Sequence, residues 1–190
     1  MPSAVTIVLL MGALTVDSAF AQLGNNESLS ADSGEHQTEY DKEELRTMCS
    51  NMELEECESD VDGIFRLNDI SCVKVLTMEK DFANAEMVCQ ALGGDVVKVQ
   101  NEEEHRKLLC MMLRLFPRRL HYWIGAERGA DDGFHWSDGS GPVRFAPWSE
   151  GQPDRSNNDE HCVMMNFGTW GPWNDISCDA MASVACQMAM

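Results

Sequence analysis

The chain has 190 residues, room for one domain with extensions but not for two large domains. Fourteen Lys and Arg stand against 32 Asp and Glu, a net charge of −18, which excludes a surface built to grip nucleic acid or anionic lipid. With 44% hydrophobic and 24% charged residues the composition is that of a folded protein, and eight cysteines and five tryptophans need explaining.

Residues 4–16 form an apolar run shorter than a membrane span, followed by the small-x-small triplet Ala19-Phe20-Ala21. This predicts a signal peptide over residues 1–21, cut near Ala21/Gln22, and hence a secreted, extracellular protein. No second long apolar run follows, so no membrane span is expected. Residues 22–60 carry twelve acidic and two basic groups and few aromatics, an acidic N-terminal segment with little apolar surface to bury. Asn26-Glu27-Ser28 within it is a glycosylation sequon on Asn26. Leu45, Met48, Cys49 and Met52 share helical spacing. That stripe fits a short neck helix pairing with a second chain, a helix packed on its own domain, or no stable helix, since two turns alone are marginal.

Residues 61–190 have the composition of a compact domain. Phe82, Ala85, Val88, Cys89 and Leu92 make the apolar stripe of a helix that Gly93-Gly94 ends. Residues 95–99 are a short strand. Asn101, with Glu104 three positions on, reads as the capped start of a second helix through Leu108, Leu109, Met112 and Leu115, stopped by Pro117. The basic group Arg114, Arg118, Arg119 and His121 is expected to complement that helix C-terminus, with contact to acidic glycans as the alternative. Beyond Pro117, short apolar stretches alternate with Gly, Asp, Ser and Pro, the mark of strands and long loops. Two helices followed by an antiparallel, loop-rich region is an α+β pattern.

All eight cysteines (Cys49, Cys57, Cys72, Cys89, Cys110, Cys162, Cys178 and Cys186) lie beyond the cleavage point. An even number in a secreted chain without any Cys-x-x-Cys pair implies disulfides rather than zinc or redox chemistry. No His-x-x-x-His pair and no Gly-x-Ser-x-Gly elbow is present, and Ser137-Asp138-Gly139-Ser140-Gly141 reads as a turn, so no enzyme is expected. His161 beside Glu160 is expected at the surface rather than in acid–base work. Gln152-Pro153-Asp154, Glu160 and Asn174-Asp175 together offer three carboxylates and two amides, the hard oxygen donors that Ca2+ takes six to eight of. They are far apart in sequence, so only a fold can gather them.

The ordered series Cys72, Cys89, Leu92-Gly93-Gly94, Glu102-Glu103-Glu104, Trp123-Ile124-Gly125, Trp136-Ser137-Asp138-Gly139, Trp148, Gln152-Pro153-Asp154, Glu160-His161-Cys162, Trp173-Asn174-Asp175, Cys178 and Cys186 resembles the C-type lectin-like domain. The resemblance spans residues 57–190 and implies an α+β C-type lectin-like fold, two helices with antiparallel sheets and long disulfide-tied loops. It implies bridges Cys89–Cys186 and Cys162–Cys178, and Cys57–Cys72 as in members with an N-terminal hairpin. Cys49 and Cys110 are then left to bridge within the chain, or Cys49 to link a disulfide-bonded homo-oligomer. It also implies that Gln152, Asp154, Glu160, Asn174 and Asp175 ligate one Ca2+, with Pro153 in cis, and that sugar hydroxyls bind the ion and these same side chains. The order Gln-then-Asp resembles galactose-type members, in particular fish mucus and serum lectins. The partners so implied are glycans with terminal galactose-like sugars, on microbial surfaces in the role expected of a defence lectin.

Two features differ from the family's pattern. Strong galactose binders carry an aromatic after the motif, where this chain has Arg155-Ser156-Asn157-Asn158-Asp159; Trp170 lies nearby, with core packing as its default role. Arg155 also stands where some members place an acidic ligand for a second Ca2+, so one site is expected. Two other classes share the resemblance. Type II antifreeze proteins carry extra cysteines around this loop, where Ser149 and His161 stand here; lectin-like domains that bind protein ligands usually lose the calcium ligands, all five of which are present.

Overall fold

The computed structural model describes residues 39–58 and 62–190; the signal peptide expected over residues 1–21 and the Asn26 sequon lie outside the described residues. Three helices, α1 (Lys42–Ser50), α2 (Phe82–Ala91) and α3 (Glu102–Leu115), flank an eight-stranded sheet. Its strands are β1 (Ile64–Asn68), β2 (Ser71–Lys80), β3 (Asp95–Val96), β4 (Tyr122–Arg128), β5 (Phe134–Trp136), β6 (Glu160–Met165), β7 (Trp173–Ser177) and β8 (Ala182–Ala189). The spatial order is β1-β2-β8-β4-β6-β7, with β3 on β8 and β5 on β4. All pairings are antiparallel except one: Tyr122 of β4 meets Ser183 of β8 in parallel, so the sheet is mixed.

The helices start where side chains can satisfy free N–H groups. Asp81 accepts from the Asn84 N–H at 2.8 Å, and Asn101 from the Glu104 N–H at 2.9 Å. Glu104 does not close a reciprocal box onto Asn101; its carboxylate takes the Gln100 N–H and the Asn68 amide, each at 2.8 Å, and is buried. α2 ends into Gly93, whose φ of +80° suits glycine, and the next residue is glycine for another reason. A Cβ on Gly94 would sit 2.1 Å from the Gln187 carbonyl oxygen of β8. Gly125 likewise lies against the backbone of Val96, and at this point β4 bulges against β6, where Ile124 and Glu127 oppose neighbouring residues.

α1 decides between the readings of its stripe. Asp41 and Glu44 form a complete capping box, Leu45 is fully buried, and Cys49 is bonded to Cys110 of α3. The helix therefore packs on its own domain, in one apolar cluster with Leu108, Leu109, Met111 and Met112. Part of the 22–60 segment thus joins the body, through buried Leu45 and two bridged cysteines, Cys49 and Cys57. The other bridges are Cys57–Cys72, Cys89–Cys186 and Cys162–Cys178, and no cysteine is free. Cys49 has no thiol left to link a second chain.

Of the basic group, Arg114 stands in the last turn of α3, where positive charge complements the helix C-terminus, and it also donates to the Met52 carbonyl at 3.2 Å. Arg119 instead donates to the Asn166 carbonyl at 3.1 Å and ties that loop down.

Candidate functional site

The β6–β7 hairpin gathers the oxygen donors. Glu160 pairs with Ser177 and Cys162 with Ile176, so His161 is an extra residue in a bulge that re-aims the start of β6. The Cys162–Cys178 bridge fastens this end of the hairpin. Trp173, fully buried and edge-on to Phe145 and Trp148, fixes the following Asn174 and Asp175 against the core. The loop before β6 carries Gln152, Pro153 and Asp154, with Gln152–Pro153 in cis.

Carboxylate oxygens of Asp154, Glu160 and Asp175 lie within 4.8 Å of one another. Asp175 is fully buried, Glu160 half-buried and Asp154 exposed. The loop is wrapped around Asp175: its Oδ1 accepts the Asp154 N–H at 3.0 Å and its Oδ2 the Arg155 N–H at 2.9 Å. Ser156 donates its N–H to Asp154 Oδ1 at 3.0 Å and to Glu160 Oε2 at 2.8 Å. Gln152 Oε1 accepts the Asp154 N–H at 3.2 Å, which turns this amide oxygen into the same loop. Burial, with Asp154 and Asp175 alongside, pushes the Glu160 carboxyl above its ordinary range, against the Ser156 N–H bond that favours its charge.

Asn174 provides a direct test of fit for a cation. Its Nδ2 donates to the Asp175 carbonyl at 2.6 Å, while its buried Oδ1 has no hydrogen-bond partner. An unpaired buried acceptor costs about 1–3 kcal/mol, and a hard cation beside the converging carboxylates would satisfy it. The residues present therefore fit Ca2+: carboxylate and amide oxygens, no sulfur, no available imidazole among them.

Two buried residues, Arg128 and His105, were not legible from the sequence patterns, whereas Trp170 takes the core role expected by default. Arg128, at the end of β4, is almost fully buried inside the acidic group and donates to Asp175 Oδ2 at 2.6 Å. His105, on α3, is fully buried and donates to the Gly171 carbonyl at 3.0 Å, two residues ahead of Trp173; its Nδ1 has no partner. Burial lowers its pKa to about 4, so it is neutral. Trp170 is buried in the core, its backbone paired with Tyr40, and gives no stacking face to a sugar.

The family profile described as Lectin C-type domain matches residues 78–188. The galactose-specific lectin nattectin of Thalassophryne nattereri is 32% identical over 108 residues, covering 56% of this chain and 66% of that protein, just under two thirds of its length. A C-type lectin galactose-binding isoform of Hoplocephalus stephensii is 32% identical over 121 residues, 61% of this chain and 75% of that protein. Among solved structures, the herring type II antifreeze protein matches with a TM-score of 0.60 at 22% identity, covering 70% of this chain and 99% of that one; at that identity the likeness shows the fold alone.

Proposed function

The chain belongs to the lectin C-type domain family, and from that premise we propose that it is a secreted, Ca2+-dependent lectin for galactose-type glycans. The family is carbohydrate-binding and non-enzymatic. The observation that carries the reading is the convergence of Asp154, Glu160 and Asp175 beside the orphaned Asn174 Oδ1. Gln152, Asp154, Glu160 and Asn174 supply side-chain oxygens, and Asp175 supplies its carboxylate. When bound, the ion offers coordination positions to two vicinal sugar hydroxyls. The protein's own share is polarity: the Gln152 amide can both donate and accept, whereas Asp154 only accepts, so their order sets which hydroxyl geometry fits. Four disulfides support an extracellular setting, since such bridges persist in oxidising compartments. No helix among the described residues is long and apolar enough to cross a membrane.

Retention on immobilised galactose should be lost in EDTA and return with CaCl2; retention that survives EDTA removes the mechanism. Asp175→Ala should abolish both calcium and sugar binding. Exchanging the pair as Gln152→Glu with Asp154→Asn should move preference toward mannose on a glycan array, and unchanged preference defeats the selectivity argument. A microbial glycan target is tested on the same array.

A further inference from the structure

We propose that Arg128 is a positioning residue that keeps the ligand loop assembled when no ion is bound, as a fixed internal cation; this rests on the calcium site proposed above. Its guanidinium uses all three arms. Nε donates to the Glu160 carbonyl at 3.1 Å, Nη2 to Asp175 Oδ2 at 2.6 Å, and Nη1 to the Asp132 carbonyl at 3.2 Å. One side chain thus ties the start of β6, the middle of β7 and the 129–133 loop. The guanidinium also stacks on Phe134, 4.5 Å from the ring centroid, and the side chain is only 6% exposed. Lys could not reproduce this, because a single ammonium lacks the planar fork.

Two further observations make the tie necessary. Asp175 is fully buried, and a buried acidic side chain is costly unless it is paired and hydrogen-bonded. Asp132, Arg155, Asn157 and Asn158 all have positive φ, between 50° and 66°. Non-glycine residues hold such conformations only where surrounding contacts over-determine them. The contacts close a ring: Arg155 Nη1 reaches Asp132 Oδ1 at 2.7 Å, Asp132 meets Arg128, Arg128 meets Asp175, and Asp175 accepts the Arg155 N–H. The carboxylates of Asp132, Asp154, Glu160 and Asp175 with the two guanidiniums leave a net charge of −2, which one divalent cation matches. A loop already ordered loses little further freedom on binding an ion.

The test is hydrogen exchange of the full chain in EDTA, read at the Asp154, Arg155 and Ser156 amides, alongside calorimetric titration with CaCl2. Against wild type, Arg128→Gln should speed exchange at these amides about tenfold. The α3 amides should be unaffected, and saturating CaCl2 should restore protection. Arg128→Lys should fail to rescue it. Calcium affinity of Arg128→Gln should fall, although deleting a positive charge beside a cation would by itself raise it. Equal loop exchange in wild type and Arg128→Gln, faster exchange spread through α3, or tighter calcium binding by the variant would each overturn the proposal. If Arg128→Gln does not fold, Asp132→Asn at the exposed end of the ring should give a smaller change of the same sign, and no change there overturns it. Wild type that binds no CaCl2 sinks the calcium reading, while the comparison in EDTA still judges Arg128.

Discussion

Leu108, Leu109, Met111 and Met112 on α3 are fully buried side by side, whereas residues 153–159 of the ligand loop are all exposed. The first region is held by apolar packing and helix bonds; the second is held by N–H groups and guanidiniums converging on carboxylates. Packing tolerates small shifts and fails through cavities. A charged loop fails when one partner is lost and another is left unpaired. Mutations should therefore separate the two: damage to the apolar region should move stability and spare ion affinity, and damage to the loop should do the reverse.

The largest effect is expected where the regions meet. Trp173→Ala should cost about 3–5 kcal/mol in urea unfolding and also weaken calcium binding, since the residue packs in the core and carries Asn174 and Asp175 behind it. Unaltered calcium affinity in that variant would overturn this expectation and show the two regions to be separable even at the residue where they meet. Next, the paired change Cys49→Ser with Cys110→Ser opens a bridge spanning 61 residues and should cost about 2–4 kcal/mol, with calcium titration unchanged.

Acid should come third. His105 is held neutral with a pKa of about 4 against an ordinary 6.5, so over that range the unfolded chain takes up a proton that the native state refuses. Stability is present above pH 6.5 and drains away as pH falls toward 4, by on the order of 3 kcal/mol. His105→Gln keeps a donor for the Gly171 carbonyl and should flatten this slope in denaturant melts at pH 7 and pH 4.5. Glu160 has the opposite sign. Its raised pKa means the ion-free native state gains stability as pH drops just above the usual carboxylate range, and there protons should compete with CaCl2. The smallest effect is Asn101→Ala, about 1 kcal/mol from loss of the α3 cap, read by thermal unfolding. A change in calcium affinity there would blur the distinction.

The apolar region was largely legible in the sequence because its grammar is local. The spacing of Phe82, Ala85 and Cys89, and of Leu108, Leu109 and Met112, states a buried face within one or two turns. α1 was not settled that way, since its stripe is two turns long and its decisive partner, Cys110, is 61 residues away. The five proposed ligand positions were visible as oxygen donors and in the ordered motif series, and the Cys162–Cys178 bridge beside them was expected; nothing in their spacing announces the bulge at His161. Arg128 left no mark at all, because its partners stand 4, 32 and 47 residues on and no periodicity links them. His105 left none either, since its acceptor on Gly171 stands 66 residues on.

The placing of β8 has a consequence in time. It is the last strand in sequence, yet it lies between β2 and β4 near the middle of the sheet. During synthesis β2 waits without its inner neighbour, and Cys89 waits for a partner 97 residues later. Cys57 and Cys72, 15 residues apart, are able to close much earlier. Assembly must therefore finish from the inside, after residues 182–189 have left the ribosome, and such long-range closure is slow. For most of its synthesis the nascent chain carries an open central slot and an unspent thiol. Its yield should depend on how well an oxidising folding machinery shields both until the final strand arrives.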